Sequence, residues 1–243
     1  MKNTSLKQLT TRDQNQIGLI HLPFLKPVSA LALASMLCCL MVSIRFIRTD
    51  TLKYGFLLWN LFLAWMPLVF AYWLYLKNYP KRFLGMPNRI IGVSEKLTFL
   101  TLLGCWLLFF PNAPYIVSDL VHLRWNRETI VWFDAVLFFC FASTGLQVGL
   151  FSLFLIQQTL NQVVGKWLSW HLIAVSIWLS GFGIYMGRDL RVNSWDLFTK
   201  PLELIQTIIQ KFSIHGLNMT ILYAVLIGTV YIIFRSLLTT KVQ

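Results

Sequence analysis

Charge is scarce in this chain. Charged residues make up 12% of its 243 positions, about half the share of a soluble globular domain. Acidic residues are scarcest, nine Asp and Glu against 21 Lys and Arg, for a net charge of +12. Four cysteines are present, Cys38, Cys39, Cys105 and Cys140. All lie inside apolar runs with neither metal-ligand spacing nor a disulfide framework, so they read as small core residues. No internal repeat and no low-complexity segment appears. No short apolar run follows a basic start, so a cleavable signal peptide is not expected and the first apolar span is expected to direct insertion. These absences leave no room for a soluble domain. The excess of Lys and Arg comes without a nucleic-acid motif and falls between apolar runs, where such residues set topology and meet anionic headgroups. Nucleic acid is therefore not an expected partner; membrane lipid is.

What the chain has is apolar length. Hydrophobic residues make up 57%, and runs of this kind are membrane spans. The expected fold is all-α, a polytopic integral membrane protein of about six transmembrane helices. A polar arm over 1–26, loosely ordered, precedes a single bundle over 27–238 and a tail over 239–243. The spans are expected near Pro27–Ile44, Tyr54–Leu76, Leu97–Phe110, Ile130–Ile156, Trp167–Gly187 and Leu217–Leu238. Gly145 and Gly149 form a small-xxx-small pair suited to close helix approach. Pro201–Phe212 reads as a short amphipathic helix in the interface plane before the last span, with Leu202, Ile205, Ile208, Ile209 and Phe212 on one face. The larger share of Lys and Arg falls inside if both termini are cytoplasmic, which sets the expected orientation.

The third span breaks at Pro111-Asn112-Ala113-Pro114. Proline removes a backbone donor and clashes with the preceding turn, and fourteen residues are short of the ~20 a crossing needs. Either the span starts nearer Val93 or the segment beyond Pro111 also lies within the bilayer. A helix restarted with Asn112 near its cap places Tyr115, Asp119 and His122 on one face. Broken helices at membrane depth line cavities or water-filled sites; the competing reading is an interfacial helix whose Asp119 and His122 simply face water. Asp134 at the mouth of the fourth span either faces His122 or an arginine, or stabilises a helix N-terminus. Arg188 and Arg191, three apart, form a pair suited to carboxylate or phosphate, or to unspecific headgroup contact. Asn193 and Asp196 have capping spacing. Asn60, Gln147 and His171 read as interhelical hydrogen-bond partners. One imidazole with carboxylates is a thin metal site, so no metal is assigned, and the cofactor is left open.

Three stretches carry a resemblance: Pro111-Asn112-Ala113-Pro114-Tyr115 with Asp119-Leu120 and His122-Leu123; Trp132-Phe133-Asp134; and Gly187-Arg188 with Arg191 and Asn193-Ser194-Trp195-Asp196. On these residues the chain resembles a bacterial membrane family of uncharacterised function, domain of unknown function 1361. The resemblance covers most of the chain after the first span. It implies membrane location and that the three motifs belong together; it implies no reaction, substrate or cofactor.

The expected site therefore lies at one membrane face. Asp119, His122 and Asp134 would supply acid–base chemistry. Arg188, Arg191, Asn193, Asp196, Tyr115 and Asn112 would hold an anionic lipid or lipid-linked substrate. The alternatives are an assembly factor docking a membrane-protein partner, whose polar residues satisfy one another and leave no void, and a proton-coupled carrier. The last is disfavoured because no repeated half appears and no ionisable residue clearly lies at midplane. The expected location is the bacterial inner membrane.

Overall fold

The computed structural model describes side chains over residues 24–77, 93–123, 132–192, 194, 196–211 and 213–238, and backbone also at 2–23, 131 and 239. Every regular element among the described residues is helical. The helices are α1 (Lys2–Thr49), α2 (Phe56–Leu76), α3 (Val93–Phe109), α4 (Asn112–Ser118) with a 3-10 turn (Asp119–His122), α5 (Val131–Val163), α6 (Lys166–Arg188), the single turn α7 (Asp196–Thr199), α8 (Pro201–Lys211) and α9 (Ile214–Thr239).

Among the described residues, six segments are long and apolar enough to cross a membrane: Phe24–Thr49, Phe56–Leu76, Val93–His122, Trp132–Val163, Lys166–Arg188 and Ile214–Leu238. Each expected span has its counterpart, and the short third one lengthens: its helix begins at Val93, and the stretch long and apolar enough to cross runs on past Pro111 to His122. The polar arm expected to be loose is instead helical in backbone, since α1 runs unbroken through Pro23 and Pro27. Each proline forfeits one backbone bond, and the flanking bonds carry the helix past it.

The bundle is organised around α5. In its most apolar stretch 72% of residues are buried, against 11–39% for the other five. Bilayer lipid offers no hydrophobic drive to helix association, so polar side chains and small residues do much of the joining. Trp106 Nε1 donates to Ser152 Oγ (3.4 Å) and Cys38 Sγ meets Thr144 Oγ1 (3.6 Å). Tyr231 and Arg235 both donate to Gln157 Oε1. Of the cysteines only Cys38 is a buried core residue; Cys39 is exposed and Cys105 and Cys140 are half-buried.

Glycines set where helices come closest. A Cβ on Gly145 would lie 2.9 Å from the Ala113 carbonyl oxygen, and one on Gly149 would lie 2.9 Å from Ala113 Cβ. On the opposite side, a Cβ on Gly183 would lie 2.7 Å from Pro111 Cγ, and one on Gly187 would lie 3.0 Å from Tyr115 Cε2. The segment carrying the prolines is therefore clamped between two glycine grooves, one on α5 and one on α6. The pair Gly145/Gly149 acts as expected from its spacing.

Candidate functional site

At the proline segment, side chains supply hydrogen bonds that the backbone does not. Pro111 has helical angles (φ −58°, ψ −28°) but no N–H to give. Ala113 N turns to Phe110 O (3.2 Å) and Tyr115 N to Pro111 O (3.0 Å). Carbonyls at the end of α3 are then left to other donors. Asn112 Nδ2 donates to Phe109 O (3.0 Å) and to Ser194 Oγ (3.2 Å), while Ser194 Oγ donates to Leu108 O (3.2 Å). Asn112 thus ties the loop after α6 to the end of α3.

Asp119 opens the 3-10 turn that follows and is buried, at 1% exposure. Arg188 Nη1 donates to its Oδ1 (3.2 Å) and Asn60 Nδ2 to its Oδ2 (2.7 Å). One carboxylate so joins the third crossing to α2 and α6. The Tyr115 ring packs on Gly187, and its hydroxyl interacts with Arg188 as well.

Asp134 lies in the first turn of α5, 2% exposed. Its partner is an arginine, Arg45 of α1. Arg45 Nε donates to Oδ1 (2.7 Å) and Nη2 to Oδ2 (3.3 Å), a fork-on-carboxylate pair. Nη1 reaches Thr49 Oγ1 and Thr51 Oγ1, both at 3.4 Å. The Tyr54 ring lies 4.0 Å from the guanidinium carbon, a cation–π contact. Burial, and then the Asp134 charge, push the Tyr54 phenol above its ordinary value, so it stays neutral and a hydrogen-bonding group.

Several expectations change here. His122 closes the 3-10 turn and is exposed, its ring edge-on to Phe56 with centroids 5.4 Å apart. Asp119 and His122 are placed differently: Asp119 is buried on Asn60 and Arg188, whereas His122, one 3-10 turn later, is exposed. Arg188 and Arg191 do not share a helical face. α6 ends at Arg188, Val192 N bonds back to Met186 O (3.1 Å), and Arg191 sits exposed in the left-handed region at φ 57°. Asp196 begins α7; Asn193 lies outside the described residues. In α8 the protein side is taken by one residue of the other face. Leu204 is its buried residue, while Leu202, Ile205 and Ile209 are exposed.

Asn60, Ser194, Arg45 and Tyr54 are the participants that sequence reasoning did not select. Asn60 carried a signal, as a polar residue inside a span; Arg45, at the end of the first span, carries no local sign of its distant partner.

Beside Asp119 and Arg188 lies a cavity of about 560 Å³. α2, α3, α4, α6, the following loop, α7 and α8 all contribute to its wall. The wall is mostly apolar, through residues such as Leu63, Leu107, Phe182 and Leu204. Asn60, Asn112, Tyr115 and Ser194 supply its polar groups. Gly104 also lines it, and a Cβ there would meet nothing within 4 Å. Among the described residues no cluster of three His, Cys, Asp or Glu is placed to hold a metal ion.

Residues 59–232 match the family model described as a protein of unknown function, DUF1361. The chain belongs to that family. The match takes in the proline segment, Asp134 and the loop after α6, so the three motifs and the whole cavity wall fall within the DUF1361 region, whereas Arg45 and Tyr54 precede it. No curated protein and no solved structure matches the chain.

Proposed function

We propose that this member of DUF1361 binds a membrane lipid or a lipid-linked molecule, its apolar chain in the cavity and its head group at the polar wall. The cavity itself carries the reading: an apolar space with a few convergent amides and hydroxyls is the usual form of a small-molecule site. Asn60, Asn112, Tyr115 and Ser194 offer hydrogen bonds to a head group. Arg191, exposed next to Val192 of the wall, supplies a cation that favours an anionic one. Arg188 serves mainly to hold Asp119. Both buried carboxylates are engaged with arginines in the resting structure, which favours holding a ligand over acid–base turnover. The same mutual pairing is what a structural factor would show, and it supports that second reading; the cavity does not. With both termini in the cytoplasm, the cavity belongs to the outer leaflet of the inner membrane.

The test is native mass spectrometry of the protein after exchange with phosphatidylglycerol vesicles and mild detergent extraction. The wild type is expected to retain phosphatidylglycerol. Gly104→Phe, which fills the cavity from a position with free space, lowers that occupancy about tenfold, the effect of losing a buried chain's contacts. Arg191→Gln narrows the preference for phosphatidylglycerol over phosphatidylcholine. Equal retention by wild type and Gly104→Phe would sink the cavity reading and leave the structural one.

A further inference from the structure

A second groove lies on the outside of the bundle between α6 and α9, about 420 Å³ in volume. It involves none of the residues of the first cavity. Its wall is apolar, from Trp170, Ile173, Ile177 and Trp178 on α6 to Ile221, Val225 and Ile232 on α9. The two helices close tightly toward one end. A Cβ on Gly181 would run into the Thr220 carbonyl and the Ala224 backbone nitrogen, and Gly216 lies flat against the Tyr185 ring. Further along α9 the space opens, and a Cβ on Gly228 would meet nothing within 4 Å. Glycine and alanine form the floor, through Ala174, Ala224 and Gly228. The groove runs from Trp170 to Trp178 along α6 and from Ile221 to Ile232 along α9, or roughly 12–16 Å at the helical rise per residue. That length suits one hydrocarbon chain.

The open end has a built polar fixture. The Arg235 guanidinium stacks over the Trp170 ring, 4.6 Å from its centroid. Gln157, buried on α5, accepts from both Arg235 and Tyr231 and fixes the two groups where Tyr231 and Trp170 border the groove. Lys166, exposed, begins α6 one turn before Trp170. Positive charge at the end of an apolar groove, framed by an indole, is the complement of a phosphodiester joined to an acyl chain.

We propose that this groove is a binding site for an anionic phospholipid, one acyl chain between α6 and α9 and the phosphate at Arg235. A second copy of the chain fits less well. A two-fold contact places the same patch on both sides, and in a membrane it would set the cationic ends of the two grooves at the same depth, like charge toward like. Arg188 and Lys166 are the two ends of α6, so the site lies at the membrane face opposite the first cavity.

The experiment uses the full-length protein in detergent, titrated with phosphatidylglycerol or phosphatidylcholine and read by native mass spectrometry and size-exclusion chromatography. Gly228→Phe is expected to remove one bound lipid in a protein that remains folded, and the effect adds to that of Gly104→Phe because the two spaces are separate. Arg235→Gln is expected to lower phosphatidylglycerol occupancy about tenfold, the weight of one charge-assisted contact, with phosphatidylcholine occupancy unchanged. Gly228→Leu serves where the larger residue prevents folding. Unchanged lipid counts in the groove variants would overturn the proposal. A wild-type dimer that Gly228→Phe or Gly228→Leu dissociates would also overturn it, and would assign the groove to a second copy. Failure of Gly104→Phe alone bears only on the first cavity.

Discussion

At the scale of single residues, two carboxylates hold the bundle's polar chemistry, and each does so through an arginine far away in sequence. Removing one partner of a buried pair leaves the other charge uncompensated, which costs about 3–5 kcal/mol. Arg45→Ala is therefore expected to lower stability in detergent by that amount, measured by thermal or denaturant unfolding. The double replacement Arg45→Met with Asp134→Leu should recover most of the loss, since an apolar pair of similar volume avoids the desolvation cost. A double variant as unstable as the single one would show that the pair matters for more than charge. Asp119 differs in having two donors on it, Asn60 and Arg188. Asp119→Asn keeps an acceptor for one of them and should be milder than Asp119→Ala, which strands both. Little of this was legible in the sequence. Asp134 and Asp119 stood out as charges at span entrances, but Arg45 is 89 positions from Asp134. Only the packing of α1 on α5 brings the two together. Local spacing proposed Arg191 as the companion of Arg188 and His122 as that of Asp119; the end of α6 undoes the first pairing, and the second gives way because Asp119 is buried on Asn60 and Arg188 while His122 is exposed.

At the scale of elements, the segment Asn112–Ser118 is a short helix that could not stand alone and is held by glycine grooves on α5 and α6. Substitution on the α5 side is expected to be costly because backbone is in the way. A Cβ at Gly145 meets the Ala113 carbonyl, so Gly145→Ala should destabilise by about 1–3 kcal/mol, as overpacking does. Gly104→Ala is the contrasting case. It faces the cavity, meets nothing, and should be neutral or gain up to about 1 kcal/mol from helix propensity. Equal effects at the two positions in a thermal-shift comparison would contradict the groove description. The spans and the Gly145/Gly149 contact were legible because hydropathy and small-residue spacing are local signals. The partner grasped by a glycine groove is not local. Pro111 lies against Gly183 and Tyr115 against Gly187, contacts across more than 70 positions that no periodicity announces. α8 shows the limit from the other side. Its amphipathic pattern was plain, but an interfacial helix has protein on one flank and lipid on another. Both flanks are apolar, so Leu204 takes the protein side while Leu202, Ile205 and Ile209 take the other.

At the scale of the whole molecule, six crossings fix which features share a membrane face. The loop after α1, the 3-10 turn with the start of α5, and the segment from the end of α6 through α8 fall on one face. The α5–α6 connection and the end of α9 fall on the other. This parity places the Arg45–Asp134 pair and the first cavity together, and the Arg235 groove opposite, whichever way the protein is inserted. The direction proposed, with both termini cytoplasmic, rests on the distribution of Lys and Arg. Cysteine substitution at two exposed lysines decides it. Lys53 follows α1 and Lys166 opens α6, so they lie on opposite faces. In intact cells a membrane-impermeant maleimide is expected to label Lys53→Cys at once and Lys166→Cys only after permeabilisation, on a background in which the four native cysteines are replaced by alanine. The reverse pattern would invert the orientation. It would move the first cavity to the inner leaflet, where anionic lipid is met beside cytoplasmic metabolites, while leaving every contact within the bundle as it is. Labelling of both positions from one side would break the parity itself. It would mean that one of the six apolar segments does not cross, and the third, with its prolines and its ion pair, is the segment whose crossing would then fall.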